Sequence, residues 1–404
     1  MTRIAAWGSE VTRSALSLAM VFSGADAYEG KNCDSGADVL HVVQLVIWTS
    51  STQLATIRLM SFFSLELCAG GGGQALGLEG AGFHHVGVVE YEPQYCTTLR
   101  SNRPQWNVIQ QDIRDFQPAA FGDVDLIAGG VPCPPFSIAG KQLGADDDRD
   151  MFPTTMNIIS KIRPRAVMLE NVQGLASAKF KEYRDDLLKR FSKMGYDAEW
   201  RVLQASDFGV PQLRPRFILV ALRPDDMMHF MWPRGSTFPP TVGDTLVDLM
   251  GANGWLGTEE WVESANKIAP TLVGGSKKHG GPDLGPTRAK RQWRELGVDG
   301  MGIADDAPDV SFPEDKLPRL TVRMVARIQG FPDEWHFSGK KTIAYRQVGN
   351  AFPPPVAKAV GRRIIAAFKR KRLCEDDEPV EAQLRLCEEP TKPKSWTRKK
   401  AQKH

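Results

Sequence analysis

A chain of 404 residues with 42% apolar and 25% charged residues has the length and composition for one large or two medium domains with full cores, which excludes a disordered or fibrous protein. The net charge of +3 is too small to announce nucleic-acid binding, so any such site must come from local clustering. The six cysteines, at 33, 68, 96, 133, 374 and 387, form no CxxC pair and no metal-ligand spacing, which argues against a disulfide framework or metal site and fits a reducing cytoplasm.

Residues 1–59 read differently from the rest. Arg3 and Arg13 precede the apolar stretch Ala15 to Phe22, and Ala25-Asp26-Ala27 follows, in the manner of a secretory signal with its cleavage site. The apolar stretch is interrupted by Ser17, and the expectation is a poorly ordered leader or upstream extension, with Met60 as the natural start. No uncharged run is long enough to span a bilayer.

From Phe62 strands and helices alternate. Phe62 to Leu67 reads as a strand, Cys68-Ala69-Gly70-Gly71-Gly72-Gly73 as a turn, and Gln74 to Gly80 as a helix. A glycine-rich turn between strand and helix lets backbone approach a ligand at the helix N-terminus, although a plain tight turn has the same composition. The next strand, Val86 to Val89, ends in Glu90, where an acid suits a ribose hydroxyl pair. A third strand end carries Asp112-Ile113, placed to meet an adenine edge. Three strand ends, each offering a ligand group, suggest an adenosine-containing cofactor.

Val124 to Ala128 reads as a fourth strand, cut by Gly129-Gly130. Cys133 then stands between Pro132 and Pro134-Pro135, in a stretch that cannot continue as helix or central strand. A lone cysteine can be a small buried hydrophobe or a nucleophile, and the stiff, glycine- and proline-rich loop argues against simple burial. The acidic segment Gly140 to Asp150 is either solvated surface or a lid. A helix from Met151 to Ile162, a strand from Ala166 ending in Glu170-Asn171-Val172, a helix from Lys179 to Met194, and strands Trp200–Gln204 and Phe217–Leu222 follow. Between the last two strands, Gln212, Arg214 and Arg216 alternate on one face of an extended segment. Each of these could be an ordinary surface or ion-paired residue. With Cys133 at successive strand ends, they make a set of thiol, acid and fork-shaped donors.

Residues 223–317 lack the strand–helix rhythm and look like a separate small domain. Within it, Ser276 to Arg294 holds six Lys/Arg against one Asp, including Lys277, Lys278, Arg288, Lys290 and Arg291, and reads either as a solvated basic face or as a phosphate- and base-contacting loop. Arg319 to Gln329 reads as an amphipathic helix, and Tyr345 to Ala351 introduces a last helix, Pro355 to Lys369. The charge-rich tail beyond Lys369 is expected to be disordered.

With these residues assembled, the chain from about Phe62 to Phe368 resembles the DNA (cytosine-5)-methyltransferases, with motifs in family order. The turn Glu66 to Gly73 looks like the family's cofactor motif, with Cys68 where an aromatic residue is usual. Pro132-Cys133 resembles the catalytic Pro-Cys, Glu170-Asn171-Val172 the catalytic acid motif, Gln212-x-Arg214-x-Arg216 the arginine motif, and Gly349-Asn350-Ala351 the closing motif. The resemblance implies an α/β, Rossmann-like fold with a smaller, irregular target-recognition domain. The expected division is 60–222 (completed by 340–368) as catalytic domain and 223–339 as recognition domain.

It also implies S-adenosylmethionine as cofactor, held by Leu67, Cys68, Ala69, Gly70, Gly72, Gly73, Glu90, Tyr91, Asp112, Ile113, Pro132, Asn350 and Ala351. Double-stranded DNA is the implied partner, met by Ser137, Gln212 and the basic residues of 276–294. A monomer with a companion restriction endonuclease or a solitary enzyme both fit, and no membrane partner is expected. In the implied chemistry the Cys133 thiolate adds to C6 of a flipped cytosine, Glu170 serves N3, Arg216 serves O2, and Arg214 braces the loop. A tRNA cytosine methyltransferase and a non-catalytic DNA-binding module are the alternatives. The size of the 223–317 segment argues against the first, and the intact Cys133, Glu170 and Arg216 set against the second.

Overall fold

The computed structural model describes residues 61–132, 150–236, 238–275 and 281–370. The leader, Cys133 and Ser137, Lys277 and Lys278, and the tail from 371 lie outside the described residues. Everything described belongs to one compact unit that begins at Ser61.

Seven strands form one sheet in the order β3-β2-β1-β4-β5-β7-β6. They are β1 (Phe62–Leu67), β2 (Phe83–Glu90), β3 (Val108–Gln110), β4 (Leu126–Gly129), β5 (Ala166–Val172), β6 (Asp197–Gln204) and β7 (Pro215–Leu222). The first five run parallel, and β7 lies antiparallel between β5 and β6. The central segments are apolar runs because helices cover both faces of a parallel sheet. After β1 the chain builds outward through β2 and β3, then crosses back to place β4 on the other side of β1. The strand order therefore reverses between β1 and β4, where ligand crevices open in such sheets. At that point β4 must come very close to β1. A Cβ on Gly129 would lie 2.5 Å from Leu67 O, so only glycine fits there.

Helices α1 (Gly73–Ala81), α2 (Pro93–Asn102), α3 (Phe152–Ile162) and α4 (Lys181–Lys193) connect the strands. Beyond β7 a single turn, Pro224–Met227, leads to α5 (Val242–Met250), α6 (Thr258–Ser264) and α7 (Thr287–Glu295), and then α8 (Val322–Ile328), α9 (Lys341–Asn350) and α10 (Pro354–Phe368). The last of these packs on α1 so tightly that a Cβ on Gly77 would meet Pro354 O at 2.4 Å. The C-terminal segment thus returns to the first βα unit. Trp261, Trp293 and Leu246 of the 223–339 segment share one apolar cluster with Leu99 and Trp106, so core runs without a break across the expected domain boundary.

β5 runs through Glu170, Asn171 and Val172, as expected, because these residues pair with Ile218, Phe217 and Arg216 of β7. Three local expectations change. Asp112 lies two residues past β3 rather than at its end. The stretch from Tyr345 is already helical, within α9, and the helix expected from Arg319 starts only at Val322, capped by Thr321 Oγ1 accepting from Met324 N at 3.2 Å.

Candidate active site

The turn after β1 is held by the backbone and by one carboxylate. Cys68, Gly70 and Gly72 all have positive φ (54°, 58° and 88°), so Cys68 adopts a conformation that glycine favours. Gly70 N–H donates to Glu90 Oε2 at 2.7 Å, while Glu90 Oε1 accepts from Tyr91 N and Glu92 N at 2.9 and 2.8 Å. Burial pushes the Glu90 carboxyl up from its ordinary pKa, and these three N–H groups oppose that shift. Glu90 therefore locks the turn while keeping further lone pairs for a ligand hydroxyl.

Against this turn lies an open-mouthed cavity. One wall is Cys68, Ala69, Gly70 and Gly71, the other is Gln347, Asn350, Ala351 and Phe352, and Glu66, Gln74, Tyr95, Gly130 and Glu170 complete it. Glu66, Gly71, Gln74 and Gln347 are absent from the set read from sequence. Glu66 carries a legible signal, an acid between Leu65 and Leu67 at the buried end of β1.

At the end of β5 Arg216 Nε sits 2.8 Å from Glu170 Oε1, with both side chains 11% exposed. The contact is an ion pair rather than a linear hydrogen bond, since Arg216 Nε–H has no in-line acceptor. Burial raises the Glu170 pKa above that of an ordinary glutamate, and the charges of Arg216 and Arg214 work against it. The loop entrance is tied to the same strand, for Asn171 Nδ2 donates to Val131 O at 2.9 Å. Met151 N–H donates to Pro132 O at 3.0 Å, so the residues flanking 133–149 are bonded to each other. Cys133, covalently next to Pro132, lies outside the described residues.

Arg214 has a different position from Arg216. It is fully buried, and its guanidinium donates to Leu272 O (2.6 Å), Gly349 O (2.8 Å) and Ala351 O (3.0 Å). It is a strut between β7, the 270s segment and the end of α9, not a free donor at the cavity. Gln212, expected to face DNA, is likewise fully buried, with Nε2 donating to Gln329 Oε1 at 2.6 Å and Oε1 accepting from Leu272 N at 2.8 Å. Replacing Arg214 with alanine takes the guanidinium donor from Leu272 O and Gly349 O, at about 1–3 kcal/mol each, while Ala351 O keeps the bond from Gln329 Nε2. The expected result is a loss of several kcal/mol in chemical denaturation, which Arg214→Lys, with one compact ammonium, restores only in part.

Several other expected contacts are redistributed. Leu67 points into the core, while Gly72 and Gly73 serve packing. A Cβ at these glycines would strike Trp335 at 2.7 Å and Phe352 O at 2.1 Å respectively. Asp112 pairs with Arg114 at 2.6 Å, which lowers its pKa, and Ile113 is buried beside it. Tyr91 and Asn350 are exposed, and Asn350 Nδ2 donates to Gly275 O at 3.1 Å. Lys290 is engaged by Asp283 at 2.9 Å, whereas Arg288 and Arg291 stand exposed on α7 opposite the buried Ala289 and Trp293. No group of His, Cys, Asp or Glu among the described residues could hold a metal, and none of the described helices is long and apolar enough to cross a membrane.

A reversing parallel sheet with a glycine turn, a cavity at the switch point and an acid–arginine pair beside it defines an α/β, Rossmann-like methyltransferase fold. The C-5 cytosine-specific DNA methylase family matches residues 62–366, and the chain belongs to that family. It is 59% identical over 311 residues to the Type II methyltransferase M.NaeI of Lentzea aerocolonigenes, covering 75% of this chain and 75% of the relative. It is 53% identical over 316 residues to the Type II methyltransferase M.NgoMIV of Neisseria gonorrhoeae, covering 77% and 100%. Among solved structures, Spodoptera frugiperda DNMT2 superposes with a TM-score of 0.54 at 19% identity and a prophage-encoded Escherichia coli protein with 0.53 at 22%, each over 76% of this chain and 100% of theirs, a likeness of fold. The chain is a DNA cytosine-5 methyltransferase, and its methyl donor is S-adenosylmethionine. The cavity suits that group: it has a backbone cradle at Gly70 and Gly71, a ribose-competent Glu90 behind the turn, and buried oxygens of Glu66 and Gln74 without partners.

Proposed function

We propose that this enzyme methylates one cytosine of a specific duplex sequence after flipping it out of the helix, through a covalent bond between Cys133 and C6. It serves as the modification partner of a restriction endonuclease or as a solitary methylase, acting as a cytoplasmic, nucleoid-associated monomer. The observation that carries the reading is the Glu170–Arg216 pair, which borders the cofactor cavity and the entrance of the Cys133 loop.

Cytosine C5 is a poor nucleophile until the ring is made an enamine. When the Cys133 sulfur bonds to C6, the displaced electron pair moves onto N3 and O2. Glu170, its pKa raised by burial, supplies a proton at N3, and Arg216 is the cation nearest to that carboxylate, suited to O2. The same cation favours the thiolate over the thiol, whose ordinary pKa is about 8.5. S-adenosylmethionine supplies, when bound, the electrophilic methyl that the activated C5 takes. Loss of the C5 proton and cleavage of the sulfur–C6 bond then restore the aromatic ring. The elements around 133–149, anchored through Pro132 and Met151, carry the segment that excludes water from the flipped base.

Residues 223–339 form the recognition domain, with α7 as its reading element. Arg288, Arg291 and Arg294 follow at helical spacing on its exposed side, and a guanidinium matches the guanine edge in the major groove. Arg288→Ala and Arg291→Ala are each expected to weaken duplex binding by about 1–3 kcal/mol if they read a base, or to reduce the salt slope by about one if they meet a phosphate. Fluorescence anisotropy across a salt series distinguishes these results, and unchanged affinity in both variants removes α7 from the interface.

Bisulfite sequencing of DNA from cells expressing the chain tests the whole reading, since it reports the modified base and its sequence context together. Methyl transfer to tRNA but not to duplex DNA in a parallel assay would overturn it.

A further inference from the structure

The glycine turn beside the cavity is held by a residue that lies outside the stretches expected to meet the cofactor. Trp335, in the 223–339 segment, is buried and donates its indole Nε1–H to Gly71 O at 3.2 Å. The same peptide unit is fixed at its other polar end, where Gly72 N–H donates to Ala69 O at 3.0 Å. The Trp335 ring also lies against Gly72, where a Cβ would meet its Cζ2 at 2.7 Å, and a Cβ on Gly71 would meet Phe337 at 3.1 Å. Two aromatic side chains from one short segment therefore close on the turn. Gly71 lines the cavity, whereas Trp335 does not.

The segment that carries Trp335 is itself anchored. Trp335 N–H closes a turn on Pro332 O at 3.0 Å, and the next residues are tied to α2. His336 N–H donates to Asn102 Oδ1 at 2.8 Å, Asn102 Nδ2 donates to His336 O at 2.7 Å, and Ser338 N–H donates to Thr98 Oγ1 at 2.9 Å. Four consecutive glycines have the widest backbone freedom of any turn, so left alone they present a ligand-ready backbone only part of the time. Apparent affinity falls in proportion to that fraction. A buried indole N–H needs an acceptor, and here it takes one from the most permissive stretch of the chain.

We infer that Trp335 is a positioning residue for the methyl donor: its indole N–H fixes the Gly71–Gly72 peptide unit, so that the turn is preformed in the empty protein. It acts through Gly71 and leaves the chemical step alone. This inference rests on reading the cavity as the donor pocket.

Trp335→Phe keeps a ring against Gly72 and removes the N–H. Trp106→Phe is the matched control, because Trp106 packs on Trp335 with ring centroids 5.9 Å apart but donates its Nε1–H to Glu79 Oε1 at 2.8 Å. In isothermal titration calorimetry of the full chain, Trp335→Phe is expected to weaken S-adenosylmethionine and S-adenosylhomocysteine alike by about three- to tenfold, the scale of one hydrogen bond, and Trp106→Phe to leave both within about twofold. At saturating donor the kcat of Trp335→Phe should match the wild type, so the loss falls on the donor KM. Hydrogen exchange read by mass spectrometry should be faster across residues 68–74 of Trp335→Phe and unchanged in β5 and β7. Equal weakening by the two variants, unchanged donor affinity in Trp335→Phe, or a lower kcat with an unchanged donor KM overturns the inference and leaves the pocket reading standing. If neither ligand binds the wild type, the pocket reading fails and the inference with it. Wild-type exchange decides even if the variant fails to fold: residues 68–74 should be protected before any ligand is added, and a turn that exchanges freely until the donor arrives overturns the inference.

Discussion

Cys133→Ala is expected to lose at least about four orders of magnitude in methyl transfer, the scale of removing a nucleophile from an acting unit. Donor binding should be unchanged, because none of the residues that line the described cavity is touched. A duplex carrying 5-fluorocytosine sharpens the test. Fluorine at C5 cannot be lost as the C5 proton is, so after methyl transfer the sulfur–C6 bond cannot be released. Wild-type enzyme should form a protein–DNA adduct stable to denaturation, mapped by peptide mass spectrometry to Cys133, and the alanine variant should form none. An adduct at another residue, or methylation by the variant at the wild-type rate, removes Cys133 from the mechanism.

Glu170→Gln should reduce kcat by about 10²–10⁴-fold, the range for a positioned proton donor. Glutamine preserves shape but neither supplies a proton nor balances Arg216. The pH dependence separates chemistry from stability. Burial raises the Glu170 pKa, so the protonated form persists above the usual glutamate range and is lost as pH rises through the raised value. Wild-type kcat should therefore fall on that limb, and the glutamine variant should show no such limb. The stability linkage has the same sign: Glu170 favours folding most at low pH and loses that contribution as pH climbs through its folded pKa. A variant with full kcat would exclude Glu170 as the proton donor.

Much of the fold was legible because its signals are local. The strand from Phe62, the glycine turn, the strand ending in Glu170 and the last helix each carry their own periodicity or turn chemistry, and they appear within a few residues of where they were expected. The 223–317 segment was legible only by contrast, as a stretch without rhythm, because α5 to α7 are short and are held by the shared tryptophan cluster. Positions in a motif also did not disclose their physical task. Gly72 and Gly73 are small because Trp335 and Phe352, far along the chain, lie against them. Of Gln212, Arg214 and Arg216, read as alternating along an extended segment, only Arg216 belongs to β7 and reaches the acid, because the first two are consumed by partners more than fifty residues away.

By itself the sequence determined the alternating α/β order, the family and the residue types of the chemistry, since hydrophobic period and turn residues are properties of neighbours along the chain. Tertiary structure alone decided which polar groups are spent on holding the protein together and which are left for a ligand. Hydrogen-bond satisfaction depends on what packs against a group. That is why Arg214 became a strut and why Glu66 emerged as the unpartnered acid of the cavity.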